Sequence, residues 1–302
     1  MDQIIYDINK IKKEKNAIIL AHFYAPKEVQ EIADYVGDSF YLAKIAKETD
    51  SKIIVFCGVL FMGESAKIIN PSKKVLMPDI TADCPMAHMV SKEKIKKLRE
   101  EYKDLAVVCY INSTASLKKL SDVCVTSSNA LDIVKNLPNK NIFFIPDKNL
   151  GRFVKDNIKD KNIILNDGYC PIHEKISVDE VKKLKALYPD AKILAHPECN
   201  DDVCKMADFL GSTLDIINYA NSDSCNKYII LTEAGVLYQL KKNNPEKEFY
   251  FTDPAPICKD MKLNTLNKIL NVLKNEENEV VLNKEDILDA LLPLDRMLER
   301  KN

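Results

Sequence analysis

The chain has 302 residues with 44 basic and 45 acidic side chains, and its balanced charge gives no support for a nucleic-acid partner. That length is enough for one large core or two to three small ones. Nine cysteines, an odd number with no CxxC pair, speak against a disulfide frame and for metal or catalytic use of some thiols in a reducing compartment.

The first predicted element is an amphipathic helix from Met1 to Lys15, with Ile4, Ile5, Ile8 and Ile11 as its apolar positions. It lacks the continuous apolar core of a secretion signal, and no later run reaches membrane-spanning length, so the reading is of a cytosolic protein without a membrane partner. Next comes a strand-like run, Ala17-Ile18-Ile19-Leu20-Ala21-His22, and similar runs recur at Ala106 to Tyr110 and at Ala191 to His196. An aspartate follows each run at 12 residues (Asp34, Asp122, Asp208), and a hydroxyl follows 5 residues later (Ser39, Ser127, Thr213). A cysteine beside a proline closes each copy at Cys84, Cys170 and Cys258, spaced 86 and 88 residues apart. Such register over three copies marks an internal repeat.

Between hydroxyl and cysteine, each copy holds a helical stretch such as Phe40 to Glu48 and then a strand. These strands are Ile53 to Phe56, Ile142 to Ile145 and Tyr228 to Leu231. A glycine with a second helical stretch follows (Gly63, Gly151, Gly235), and then a last strand that delivers the cysteine. Alternating strands and helices predict parallel sheets covered on both faces. The expected fold class is α/β: three homologous Rossmann-like αβα three-layer units around a pseudo-threefold axis, plus C-terminal helices. Their expected bounds are 1–90, 91–176 and 177–262, with 263–302 as a helical tail. Charged stretches at Ser91 to Asp104 and Ser177 to Asp190 are expected connecting helices. The tail reads as helices from Leu263 to Leu273 and Glu285 to Leu298, the second capped by Asn283 and Asp286, packed over the third copy.

In parallel αβα units, ligands gather at the carboxyl ends of strands. Three cysteines pooled there, one per copy, make a metal site. Structural zinc usually takes closely paired ligands and four protein donors. A [4Fe–4S] cluster on three cysteines keeps one iron open as a Lewis acid. Spacing alone leaves zinc open. Of the remaining thiols, Cys57, Cys109 and Cys124 sit in apolar runs and read as packing, while Cys199, Cys204 and Cys225 are undecided. The first-strand ends add the repeat-equivalent pairs His22 with Tyr24, Tyr110 with Asn112, and His196 with Glu198. His173 lies three residues after Cys170, within reach of the centre, whereas His88 has no partner signal. Ser39, Ser127 and Thr213 are expected near helix N-termini, where free N–H groups bind anions; that would let a chain with only four arginines hold a highly charged substrate. For any one of these hydroxyls, a plain helix cap is the simpler reading.

Read together, these landmarks resemble the quinolinate synthase family, the A protein of bacterial and archaeal NAD biosynthesis, over nearly the whole chain. The resemblance rests on Ala21-His22-Phe23-Tyr24, Gly37-Asp38-Ser39, Tyr110-Ile111-Asn112, Thr126-Ser127-Ser128-Asn129-Ala130, Pro146-Asp147-Lys148-Asn149-Leu150-Gly151, His196-Pro197-Glu198-Cys199, Gly211-Ser212-Thr213 and Thr232-Glu233-Ala234-Gly235. It implies a [4Fe–4S] cluster on Cys84, Cys170 and Cys258. It implies a transferase-type condensation of iminoaspartate with dihydroxyacetone phosphate to quinolinate, phosphate and water. It also implies functional coupling to an aspartate oxidase or dehydrogenase that supplies the imine. By the same resemblance, His22, Ser39, Tyr110, Asn112, Ser127, His196, Glu198 and Thr213 contact substrate, and Tyr24 and His173 are similar to further active-site positions. Tyr24, His22, Glu198 and His173 are the expected catalytic residues, with Glu198, Tyr24 and His22 the candidates for the proton transfers. Two other classes stay open on the residues themselves: a three-cysteine iron–sulfur hydro-lyase and a non-catalytic metal-cluster sensor. The close-spaced CxxxCxxC of radical enzymes is absent.

Overall fold

The computed structural model describes residues 2–299. Met1 of the expected first helix and residues 300–302 of the expected tail lie outside the described residues. After α1 (Asp2–Glu14), the first unit runs β1 (Ala17–His22), α2 (Lys27–Ile32), β2 (Tyr35–Gly37), α3 (Ser39–Glu48), β3 (Ile53–Cys57), α4 (Leu60–Ile69) and β4 (Lys74–Leu76). The second runs α5 (Lys92–Glu101), β5 (Leu105–Tyr110), α6 (Ala115–Lys118), β6 (Val123–Val125), α7 (Ala130–Lys135), β7 (Asn141–Ile145), α8 (Lys148–Asn157) and β8 (Asn162–Leu165). The third runs α9 (Val178–Leu187), β9 (Lys192–Ala195), α10 (Asp201–Cys204), β10 (Phe209–Leu210), α11 (Thr213–Ser222), β11 (Lys227–Leu231), α12 (Leu237–Asn243) and β12 (Glu248–Tyr250). Two tail helices follow, α13 (Leu266–Asn275) and α14 (Lys284–Glu299).

Each unit carries one four-stranded parallel sheet, in the orders β2-β1-β3-β4, β6-β5-β7-β8 and β10-β9-β11-β12. The central strands are continuous apolar runs because helices cover both faces of a parallel sheet; all six residues of β5 and all five of β3 are buried. Three short edge strands, β2, β6 and β10, were not expected from the sequence. Each starts directly after the repeated aspartate, which explains that landmark. Oδ2 of Asp34, Asp122 and Asp208 accepts the backbone N–H of Ile19, Val107 and Ile193 at 2.8, 2.7 and 2.8 Å. Their own backbone N–H groups donate to the carbonyls of the same three residues at 2.9, 2.9 and 2.8 Å. Each aspartate therefore closes a two-bond ring that sets the register of its edge strand.

The tail corrects one expectation: it covers the first and second units, not the third. Leu266, Ile269, Val272 and Leu273 of α13 share an apolar cluster with Ile8 of α1 and with Ile19 and Val55 of β1 and β3. α14 lies against α4, α6 and β6, with Ala290, Leu294 and Met297 buried. The apolar stripe of α1 needs a partner, and α13 supplies it. Lys15 ties the pair by donating to the Lys274 carbonyl at 3.0 Å and to Glu276 at 2.8 Å. Amphipathic spacing shows that a helix face is buried, not what it is buried against.

Candidate active site

One cavity gathers residues from all three units. All thirteen residues singled out from the sequence line it: His22, Tyr24, Ser39, Cys84, Tyr110, Asn112, Ser127, Cys170, His173, His196, Glu198, Thr213 and Cys258. None of the other six cysteines does. Cys57, Cys109, Cys124, Cys199 and Cys204 are buried in apolar clusters, and Cys225 is half-buried. His88 also stays outside, paired with Asp83 at 2.7 Å.

The repeated hydroxyls are not helix caps. α3 begins at Ser39 and α11 at Thr213, but the preceding residues do the capping: Asp38 accepts from the Tyr41 N–H at 2.8 Å, and Ser212 from the Asp215 N–H at 3.2 Å. Ser127 lies three residues before α7, and Asn129 holds its loop by accepting the Thr126 N–H at 2.7 Å. Ser39 and Thr213 therefore sit in the first turns of ten-residue helices with their hydroxyls free of capping duty. Among the described residues no lysine or arginine lines the cavity, so hydroxyls and helix N–H groups are its means of holding anions.

The strand-end pairs use one device twice. Nδ1 of His22 accepts the Tyr24 backbone N–H at 3.1 Å, and Nδ1 of His196 accepts the Glu198 N–H at 3.2 Å. That leaves Nε2 to carry the proton in each ring. Burial lowers both pKa values to about 3, helped at His22 by the Lys262 cation, so both are neutral donors. Burial also pushes the Tyr24 and Tyr110 phenols far above their usual value, with the Glu198 charge adding to it. Glu198 goes the other way. Its burial favours the acid, but the neighbouring His173 and hydrogen bonds from His173 and Tyr110 outweigh this and hold it below the usual carboxylate range. His173 Nδ1 lies 2.9 Å from Glu198 Oε2 and 3.2 Å from Cys170 Sγ. Glu198 Oε1 and Asn112 Oδ1 are buried without a partner among the described residues, an arrangement that asks for a ligand.

The cysteine loops are held by carboxylates that the sequence reading did not single out. The backbone N–H of Cys84 donates to Asp83 at 2.8 Å, that of Cys170 to Asp147 at 3.1 Å, and that of Cys258 to Glu233 at 3.0 Å. Asp147 and Glu233 stand at one register, two residues past the ends of β7 and β11, where the first unit has Val59. That coincidence was visible within two of the motifs quoted above. Glu233 also accepts from the Gly235 N–H at 2.6 Å and from Lys262 at 2.8 Å, and Lys262 donates onward to the Tyr24 carbonyl at 2.6 Å. Gly168 is required before the second cysteine, because a Cβ there would meet the Pro146 carbonyl oxygen at 2.6 Å.

A family model described as Quinolinate synthetase A protein matches residues 6–299. The chain belongs to the quinolinate synthase family. It is 53% identical over 292 residues to the quinolinate synthase of Fusobacterium nucleatum, an alignment covering 97% of each chain. It is 52% identical over 293 residues to that of Caldicellulosiruptor bescii, again covering 97% of each. It is 50% identical over 299 residues to that of Clostridioides difficile, covering 98% of each. The motifs read as a quinolinate synthase resemblance thus belong to a chain similar to these enzymes along its length. No helix among the described residues is long and apolar enough to cross a membrane.

Proposed function

We propose that the protein condenses iminoaspartate with dihydroxyacetone phosphate, giving quinolinate, phosphate and water, in a cavity holding a [4Fe–4S] cluster on Cys84, Cys170 and Cys258. The observation that carries the proposal is the supply of one thiol per unit to a single cavity otherwise lined by acid–base and hydroxyl groups.

The thiols fit such a group. Burial pushes all three above the ordinary thiol pKa, with the Glu198 charge adding at Cys84 and Cys170 and the Glu233 charge at Cys258. Three thiolates in a cavity lined, among the described residues, by no lysine or arginine need a metal's positive charge to exist together. When bound, a cluster on three cysteines supplies one iron with an open position for Lewis-acid chemistry. A second reading rests on Cys170, His173 and Glu198, whose ligand atoms lie within 4.8 Å of one another and would suit a single metal ion. That reading leaves Cys84 and Cys258 without a purpose.

The chain's own residues divide the remaining work. Ser39, Ser127 and Thr213, with their neighbouring N–H groups, bind the carboxylates and the phosphate. The neutral His22 and His196 orient substrate oxygens through Nε2–H without adding charge. Asn112 adds a polar contact on the second unit's wall. Glu198 presents the free, buried Oε1 of an ionised carboxylate, the form a proton-abstracting base needs. Tyr24, His173 and Tyr110 surround it and steady the charges that build up as carbon–carbon bonding, imine closure and dehydration proceed. An aspartate oxidase or dehydrogenase would supply the imine.

Anaerobic assay of quinolinate formation tests the proposal. The wild type should turn over, and Glu198→Gln should keep its iron while slowing about 100-fold or more. A wild type loaded with iron that forms no quinolinate would overturn the function, and an unchanged Glu198→Gln rate would remove Glu198 as the base.

A further inference from the structure

Thr232 stands just past β11, fully buried, and is absent from the cavity wall. Its Oγ1 lies 2.8 Å from Tyr24 Oη and 2.9 Å from His173 Nε2. The line of bonds continues at both ends. Tyr24 Oη lies 2.6 Å from Thr213 Oγ1, and His173 Nδ1 lies 2.9 Å from Glu198 Oε2. Four groups on the cavity wall are thus joined through one hydroxyl behind it.

A hydroxyl has one proton to give, so Thr232 donates to one neighbour and accepts from the other. In either direction its single oxygen holds the Tyr24 phenol and the His173 ring at hydrogen-bond distance from behind the wall, while His173 Nδ1 faces Glu198 and, at 3.2 Å, the Cys170 sulfur.

We infer that Thr232 is a positioning residue: its hydroxyl bridges Tyr24 Oη and His173 Nε2 and so fixes the orientation of both groups on the cavity wall. Without that hydroxyl both lose a partner, and neither is held in place from behind. The fault lies in the orientation of groups around the reacting atoms, so it falls on turnover more than on substrate binding. The inference rests on the function proposed above.

The test compares anaerobically prepared, iron-loaded wild type with Thr232→Val, which keeps the shape, and Thr232→Ser, which keeps the hydroxyl. Valine should lower kcat about 10- to 100-fold, the range for loss of an outer hydrogen-bond partner, while KM stays within about 3-fold and iron per chain is unchanged. Serine should restore kcat to within about 3-fold. In a Tyr24→Phe background the valine loss should shrink, since the two act through one bond. Wild-type kcat in the valine variant, a serine variant as slow as valine, or fully additive losses with Tyr24→Phe would each overturn the inference. Should valine reduce iron loading or melting temperature, Thr232→Ala and Thr232→Ser decide instead: both lack the methyl, and equal kcat values would overturn it. An inactive wild type removes the proposed function and this inference together, whereas an active wild type matched by valine removes only the inference.

Discussion

Replacing Glu233 by glutamine should loosen the third cysteine loop while changing side-chain volume little. The carboxylate serves three donors: Cys258 N–H and Lys262 Nζ on Oε1, at 3.0 and 2.8 Å, and Gly235 N–H on Oε2 at 2.6 Å. An amide keeps one acceptor oxygen. With that oxygen facing Cys258 and Lys262, the NH₂ confronts the Gly235 N–H, and one buried donor goes unpaired at about 1–3 kcal/mol. Of the two bonds that remain, the one from the Cys258 N–H loses its charge assistance, about half its strength, and the one from Lys262 loses its ionised acceptor. Lys262 is partly exposed and recovers some of that loss in water. The total, about 2–4 kcal/mol, corresponds to a roughly 30- to several-hundred-fold shift towards loop opening. The assay is anaerobic iron release to a chelator, with the exposed Glu100→Gln as control. Glu233→Gln should release iron faster by at least about 30-fold, and Glu100→Gln at the wild-type rate. A Glu233→Gln protein that holds iron like wild type would refute the claim that this carboxylate fixes the Cys258 loop.

Three further outcomes follow from the same geometry. Asp122→Ala leaves the buried Val107 N–H unpaired and should cost about 1–3 kcal/mol in urea unfolding, with Asp34→Ala and Asp208→Ala alike; losses under about 0.5 kcal/mol at all three would show that the rings do not matter. Gly168→Ala should lower iron content with the secondary structure kept, because its Cβ meets the Pro146 backbone; full loading would mean the loop yields at no cost. His22 and His196, with pKa values lowered to about 3 by burial, take up protons on unfolding. Their contribution is intact above the unfolded value of about 6.5 and lost as pH falls towards 3, at up to about 1.4 kcal/mol per pH unit each. Replacing His22 by glutamine should flatten the slope of unfolding free energy between pH 6 and pH 4, and an unchanged slope would contradict the neutral, buried ring.

The sequence showed what lies in long apolar runs and in repeats. β1, β5 and β9 stand out because runs of three to six consecutive apolar residues recur at the start of each copy, and the cysteines stand out because each closes a copy at nearly constant spacing. Edge strands of two or three residues, such as Phe209–Leu210, are too short for any periodicity to register. Lys118 sits in a short helix where a lysine is expected to face solvent, yet it is fully buried, donating to the carbonyls of Ser113 and, at 3.4 Å, of Phe61. Thr232 is the plainest instance of what a linear reading misses. It stands in the quoted motif Thr232-Glu233-Ala234-Gly235, yet nothing along the chain shows what it bonds, because its partners lie 208 and 59 residues away. The carboxylates behind the cysteine loops were within reach of the repeat comparison, had the positions after β7 and β11 been aligned.

The central claim, that three units pool one thiol each around a shared cluster, is tested most directly by counting iron and acid-labile sulfide per chain in anaerobically purified protein. The same count is made on serine variants at Cys84, Cys170 and Cys258, with Cys57→Ser as the buried control. The account predicts about four of each element in wild type and in the control, and loss of colour and cluster in all three variants. A single zinc per chain, or full cluster content in any of the three variants, would contradict it.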